Sequence, residues 1–130
     1  MSNALKAFQA VHDQYLSVVE HAYRTGETDP VLPFLGPGYH GYYGMPDQDR
    51  ADYFDTAIAI EGMRQTARQL PGVRAGCVNR SIRMPSETSA VVFYEKPMVF
   101  GDKTISAFVI EVWRQIDGNW VIVRETVEHL

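Results

Sequence analysis

The N-terminal part of the chain carries its apolar residues at the three- and four-residue spacing of an amphipathic helix. The pattern extends from Ala4 to Arg24, and Gly26 follows it as a stop signal. We therefore predict a first helix with one face turned toward the core. That face would present Phe8, His12, Tyr15, Val19 and Ala22.

Two further helices and a short strand are predicted before residue 72. Asp29-Pro30 is a helix start signal, and Gly36-Pro37-Gly38 soon ends that brief helix. A strand rich in aromatic residues follows at residues 39–43. Helical spacing returns over residues 50–70 and stops at Pro71-Gly72. The buried stripe of this third helix would comprise Tyr53, Ala57, Ile60, Met63, Ala67 and Leu70.

Beyond Val73 the apolar period changes from about four residues to two. Four strands are predicted, over residues 73–84, 89–100, 104–116 and 119–128. Asp117-Gly118 between the last two is a strong hairpin signal, because it tolerates the positive φ angles of a type I′ turn. Helices followed by consecutive hairpins predict an α+β fold, with an antiparallel sheet that carries the helices on one face.

Composition narrows the class of protein without naming a function. A chain of 130 residues suits one domain over residues 1–130. The net charge of −4 argues against a nucleic-acid partner, and no apolar run is long enough to span a membrane. No basic segment followed by an apolar block precedes the first helix, so we expect a soluble, cytoplasmic protein.

Metal and cofactor sites are not indicated by the sequence. The four histidines and Cys77 show no paired ligand spacing, so no metal is expected. Residues 36–41 spell a glycine-rich dinucleotide motif, but such a motif needs a strand before it and a helix after it. The predicted order here is the reverse, so no cofactor is expected.

The C-terminal hairpin carries a recognisable pattern. Val112-Trp113-Arg114, then Asp117-Gly118-Asn119-Trp120 and alternating apolar residues, resembles the nuclear-transport-factor-2-like superfamily. That superfamily includes SnoaL-like cyclases, ketosteroid isomerases and the association domain of calmodulin-dependent kinase. The resemblance implies a strongly curved, cone-shaped sheet that wraps against the helices around an apolar cavity. It also implies a homodimer, because many members dimerise through the outer face of the sheet.

Alternation along the last two strands groups the side chains into two sets, one of which would face the cavity. Residues 120, 122, 124, 126 and 128 would share one face of the last strand, and residues 109, 111 and 113 one face of the strand before it. The resemblance places Trp120, Arg124, Glu111 and Trp113 toward the cavity. Alternation alone leaves the choice of face open, and a shift by one residue would invert it.

Tyr15 and Glu111 are candidate catalytic residues. Their segments resemble those of ketosteroid isomerases that carry a tyrosine and a protonated acid, which together stabilise a substrate oxyanion. The isomerases also place an acidic base on the first strand, where this chain has Tyr42-Tyr43-Gly44, so His40 or another group would have to serve as the base. In the alternative, Tyr15 caps the core and Glu111 pairs with Arg124.

The remaining candidate residues would bind the ligand. Tyrosines offer an apolar face with one polar group, and Arg124 could hold a carboxylate, although a salt bridge with Glu111 or Glu128 is the alternative. We expect a small apolar or aromatic ligand, with isomerase, cyclase or dehydratase chemistry on a carbonyl compound. The alternatives are a non-catalytic dimerisation or partner-association module and a metabolite sensor. The predicted ligand-binding residues are Tyr42, Tyr43, Tyr53, Trp113, Trp120, Arg124 and Thr126.

Overall fold

The computed structural model describes residues 2–130 and begins with the predicted first helix. This helix, α1, spans Asn3–Thr25. The Ser2 side chain caps it by accepting a hydrogen bond of 3.1 Å from the Leu5 N–H. Gly26 ends it in the left-handed conformation, with φ of 81°. The predicted face is buried at every position, Phe8, His12, Tyr15, Val19 and Ala22.

The segment after α1 differs from the sequence prediction. A 3₁₀ helix over Asp29–Phe34 leads into strand β1, Leu35–Gly44, which is longer than predicted and includes the glycine–proline segment. A second strand, β2 (Asp52–Asp55), precedes helix α2, Thr56–Gln69. Asp55 caps α2 by accepting from the Ile58 N–H at 3.1 Å. The prediction of a helix from residue 50 is therefore wrong at its first turn.

Five more strands complete the chain: β3 (Arg74–Ala75), β4 (Val78–Ser86), β5 (Ser89–Phe100), β6 (Lys103–Ile116) and β7 (Asn119–His129). The strand predicted over residues 73–84 is divided into β3 and β4. The sheet order is β2-β1-β7-β6-β5-β3, with β4 also paired to β5. The β1–β7 pair is parallel, so the sheet is mixed rather than purely antiparallel. Asp117 and Gly118 have φ of 51° and 80°, as the predicted hairpin requires.

A β-bulge in β7 determines which side chains face the interior. Val112 pairs with Arg124 while Trp113 pairs with Ile122, so Val123 is an extra residue on β7. Alternation is inverted beyond it: Glu125 is buried and Arg124 is exposed. The prediction that residues 120, 122, 124, 126 and 128 share one face is therefore wrong beyond residue 122.

Aromatic side chains fill the space between α1 and the inner face of the sheet. The ring of Trp113 lies 5.6 Å from Phe8 and 5.0 Å from Tyr15, measured between ring centroids. Phe34 packs on Tyr15 at 5.6 Å. These edge-to-face contacts occupy the region where an apolar cavity was predicted. The α+β fold with helices on one face of a curved sheet is confirmed. No helix within residues 2–130 has the length and apolar character needed to cross a bilayer.

Candidate functional site

Two buried carboxylates face each other at the centre of the sheet. Glu111 on β6 and Glu125 on β7 are paired residues, and only 0% and 9% of their surfaces are exposed. Side chains directly opposite each other on neighbouring strands are close neighbours on the same face. Burying two acids side by side is unfavourable unless each is compensated by partners. The partners of each therefore define the site.

Glu111 is held by three hydrogen-bond donors. Its Oε1 accepts from His12 Nε2 at 2.8 Å and from Trp113 Nε1 at 3.0 Å. Its Oε2 accepts from the Tyr94 hydroxyl at 2.5 Å. Three donors directed at one carboxyl group leave its two oxygens as acceptors. The geometry therefore gives Glu111 the part of an acceptor, whereas the resemblance implied a neutral acid that donates.

His12 connects this carboxylate to the protein surface. Arg80 Nη1 lies 3.1 Å from His12 Nδ1 and 2.6 Å from Asp13 Oδ1. The guanidinium can only donate, so His12 Nδ1 accepts and the proton lies on Nε2, which donates to Glu111. His12 is thus a fully hydrogen-bonded link between the buried acid and the Arg80–Asp13 ion pair.

Glu125 is less fully compensated than Glu111. It accepts one hydrogen bond of 2.6 Å from the Tyr39 hydroxyl. Burial, followed by the negative charge of Glu111, raises the pKa of Glu125 to about 7, although Lys96 and the Tyr39 hydrogen bond oppose the shift. This carboxyl group therefore changes its charge near neutral pH.

Lys96 is a buried cation on the same inner face. Its Nζ donates to the Tyr23 hydroxyl at 3.3 Å and lies 5.0 Å from the centre of the Tyr23 ring. Burial disfavours its charge, but Tyr23 and the two glutamates outweigh that effect and raise the pKa of Lys96. Lys96 therefore stays protonated at neutral pH.

Tyr15 completes the inner cluster. Its ring packs 6.1 Å from the His12 ring as well as against Trp113. Burial, then the charges of Glu125 and Glu111, raises the pKa of the Tyr15 hydroxyl well above its ordinary value. The hydroxyl is therefore neutral, and it lies within electrostatic reach of both carboxylates.

A pocket of about 540 Å³ opens between α1 and strands β3 and β5, and Tyr94 and Lys96 form part of its wall. The thiol of Cys77, the single cysteine of the chain, also lines it, and burial raises the pKa of this thiol. The other lining residues include Asp13, Leu16, Ser17, Val19, Glu20, Arg24, Pro30 and Ala75. A second pocket, of about 570 Å³, lies on the other side of α1 beside Phe34 and Trp120.

Several of the predicted site residues lie on the inner side of the sheet. Tyr15, Glu111 and Trp113 meet in the buried cluster described above. Trp120 packs on Phe8 with 4.9 Å between ring centroids. Tyr43 is partly buried, and its ring lies 6.1 Å from that of Phe54.

The other predicted site residues lie on the outer face of the sheet. His40 stacks on Tyr53 at 6.1 Å, and Tyr53 is 54% exposed. In register, His40 pairs with Arg124, and Tyr42 pairs with Thr126. The sheet therefore separates His40 from Glu111. The bulge at Val123 turns Arg124 outward, and Tyr53 lies on a strand where a helix was predicted.

Sequence reasoning missed several of the residues that form the site. Tyr94 and Lys96 share the inner face of β5 with Val92, and that alternation was visible. A lysine on the apolar face of a strand was therefore a usable signal. No signal in the sequence marked Glu125 as a site residue, because only the bulge turns its side chain inward. Arg80 lies beside Asn79, whose φ of 56° marks an irregular β4 that alternation cannot anticipate.

The described residues contain no grouping of three or more His, Cys, Asp or Glu side chains suited to a metal ion. No family model matches the sequence, and neither does any curated protein.

Several solved structures match nearly the whole chain. A nuclear-transport-factor-2-like (NTF2-like) protein from Cytophaga hutchinsonii has a TM-score of 0.74 at 12% identity, over 100% of both chains. A candidate scytalone dehydratase from Novosphingobium aromaticivorans has a TM-score of 0.74 at 10% identity, over 100% of this chain and 89% of that one. The association domain of C. elegans CaMKII has a TM-score of 0.69 at 18% identity, over 97% and 98%. At such identities the likeness concerns the fold alone, and the chain therefore has the NTF2-like fold that its C-terminal pattern predicted.

Proposed function

We propose that this protein binds a small molecule in the pocket between α1 and β5. The observation that carries the proposal is that Lys96 and Tyr94, two buried polar side chains, form part of the pocket wall. Tyr94 also joins the pocket to Glu111 through its hydroxyl. A volume of about 540 Å³ lies within the range of roughly 300–1,000 Å³ that small-molecule sites occupy.

The energetic cost of the buried cluster supports a functional role for it. Two carboxylates, a lysine and a histidine lie behind the pocket, where apolar residues of similar volume would be at least as stable. Titratable groups with shifted pKa values, gathered beside a concave site, are typical of binding and catalytic sites. Binding is favoured over chemistry on a carbonyl compound, because the base predicted at His40 lies on the outer face.

Cys77 offers a direct test because it is the single cysteine and lines the pocket. The rate of its alkylation by iodoacetamide should fall when a neutral aromatic probe, 2-naphthamide, is added. The matched control is a Cys77→Ser/Ser81→Cys double variant, in which the thiol is moved to an exposed position on β4. Its alkylation rate should not change. Equal Cys77 alkylation rates with and without the probe, for 2-naphthamide and for its acid 2-naphthoate alike, would remove the proposal.

A second function, self-association, is favoured by a different observation. The outer face of the sheet carries a row of paired residues that runs across five strands, and several of its large apolar side chains are exposed. Tyr53, Phe93 and Ile110 are 54%, 40% and 39% exposed. Contiguous exposed apolar surface of this kind marks interaction sites. The row consists of Tyr53, Tyr42, Thr126, Ile110 and Phe93.

Charge on either side of this row favours a second copy of the chain as the partner. On β7, Arg124 and Glu128 lie two residues before and two residues after Thr126, both exposed. A two-fold axis along the row would place Arg124 of one copy opposite Glu128 of the other, so the face is complementary to itself. An isologous dimer through this face follows, in line with the association domains among proteins of the same fold.

Charge exchange tests the dimer. Arg124→Glu and Glu128→Arg should each weaken association in sedimentation velocity, because each places like charges together. The double variant should restore it. Lys103→Glu, at the exposed β5–β6 turn, is the control and should leave the association unchanged. A wild-type chain that sediments as a monomer at all concentrations would exclude this second function.

A further inference from the structure

The pocket contains a cation without an acidic partner. Lys96 Nζ donates to the Tyr23 hydroxyl, and none of the ion pairs among residues 2–130 includes it. An ammonium group carries three donors. Lys96 is 8% exposed and lines the pocket, and among residues 2–130 the Tyr23 hydroxyl is the one side-chain acceptor for its ammonium group.

The acidic residues that line the same pocket are already paired. Asp13 binds Arg80 at 2.6 Å. Glu20 binds Arg24 at 3.3 Å and Arg74 at 3.4 Å. Each of these carboxylates is paired with a cation, which weakens its repulsion of an anion that enters. The charge in the pocket that still lacks a direct counter-ion is therefore the positive one on Lys96.

The rest of the lining limits the size and polarity of the ligand. Side chains of Leu16, Val19, Pro30 and Ala75 contribute apolar surface to the walls. We infer that the ligand is a small apolar or aromatic monocarboxylate, with its carboxylate bound to Lys96 Nζ and its apolar part against these walls. This inference rests on the proposed function and specifies the chemical class of its ligand.

Binding of such a ligand should also cause the protein to take up a proton at one of the buried glutamates. Lys96 partly offsets the charge of Glu125, and a bound carboxylate would neutralise Lys96 and add negative charge nearby. Glu125 titrates near neutral pH, so it should take up a proton when the ligand binds. The ionisable groups that act on Glu125 are Glu111 from β6, Tyr39 from β1, Lys96 and Tyr94 from β5, and Tyr15 from α1.

A matched pair of probes separates the charge from the apolar part. We expect 2-naphthoate to bind at least about tenfold more tightly than neutral 2-naphthamide, since a charge-assisted hydrogen bond is formed with the carboxylate alone. Calorimetry near neutral pH, in phosphate and in Tris, should show proton uptake for naphthoate and none for naphthamide. The two buffers differ in ionisation enthalpy, so the difference between the heats measured in them gives the number of protons taken up on binding.

Two variants assign these effects to residues. Lys96→Met should abolish the preference for naphthoate while naphthamide still binds. Glu125→Gln should bind naphthoate without proton uptake, because the amide does not titrate. The wild-type comparison does not depend on whether either variant folds.

Equal affinity of the wild type for the two probes would overturn the inference and leave the proposed function standing. Failure of both probes to bind, with Cys77 unprotected, would overturn both.

Discussion

Glu111 and Glu125 are paired across β6 and β7 on the inner face of the sheet, yet their surroundings differ sharply. Glu111 accepts hydrogen bonds from His12, Trp113 and Tyr94. Glu125 accepts from Tyr39. Glu111 is therefore compensated by three donors, while Glu125 carries much of the cost of their proximity. Replacement of glutamate by glutamine should therefore have opposite effects on the free energy of unfolding at the two positions.

Glu125→Gln should stabilise the protein at alkaline pH. Folding raises the pKa of this carboxyl from 4.5 to about 7, so its contribution to stability is complete below pH 4.5 and is lost as the pH rises through 7. The shift corresponds to roughly 3 kcal/mol in the free energy of unfolding above the folded-state pKa. The amide oxygen can still accept from Tyr39. Urea unfolding across this pH range should show that the free energy of unfolding of the variant increases relative to that of the wild type as the pH rises.

The control for this prediction is Glu87→Gln, which neutralises an exposed acid at the turn between β4 and β5. It should leave the pH dependence of the free energy of unfolding close to that of the wild type. A Glu125→Gln variant whose stability follows the wild-type pH profile would show that Glu125 does not titrate near neutral pH.

Glu111→Gln should destabilise the protein at every pH between 5 and 8. The amide presents an N–H to a site that has three donors directed into it, so at least one donor loses its acceptor. We expect a loss of about 1–3 kcal/mol in the free energy of unfolding, the cost of an unsatisfied buried polar group. Chemical denaturation measures it. An unchanged midpoint would mean that the His12, Trp113 and Tyr94 contacts contribute little.

The proton on His12 should lie on Nε2. Arg80 can only donate to Nδ1, and Glu111 needs a donor at Nε2. Long-range ¹H–¹⁵N NMR of the ring nitrogens distinguishes the two tautomers. Arg80→Met should shift the ¹⁵N resonance of Nδ1, which loses its donor, and leave the proton on Nε2, whereas Arg83→Met, at an exposed position of the same strand, should change neither. A wild-type His12 protonated at Nδ1 would contradict the proposed link.

Local sequence signals were sufficient for most of the secondary structure. Asp117-Gly118 determines its hairpin through a backbone conformation that few residue pairs adopt easily, and Gly26 ends α1 for the same reason. Strand β2 was not predictable, because Asp52–Asp55 is short and its pairing with β1 is a tertiary contact. The parallel β1–β7 pair is likewise non-local, so periodicity carries no trace of it.

The candidate site was predictable only in part, and one residue explains much of the difference. Tyr15, Glu111 and Trp113 follow regular helix and strand periods, and they lie together. Val123 interrupts the period of β7, so Glu125 turns inward and Arg124 outward. A bulge depends on the curvature of the whole sheet and leaves no mark on the alternation of apolar residues. Sequence periodicity therefore fails at the point where the buried acid pair is formed.

Gly41→Ala should destabilise the protein, and Gly62→Ala should stabilise it. Gly41 pairs with Glu125, and a β-carbon there would lie 2.1 Å from the Glu125 carbonyl oxygen and 2.6 Å from the Phe54 ring. Backbone cannot move aside cheaply, so we expect a loss of at least about 1–3 kcal/mol in the free energy of unfolding. Gly62 lies in α2 with no atom within 4 Å of the added carbon, and alanine should add about 0.5–1 kcal/mol there. Thermal and urea unfolding measure both. If Gly41→Ala were as stable as the wild type, β1 would not approach β7 as closely as described. The register of the β1–β7 pair beside Glu125 would then have to be different.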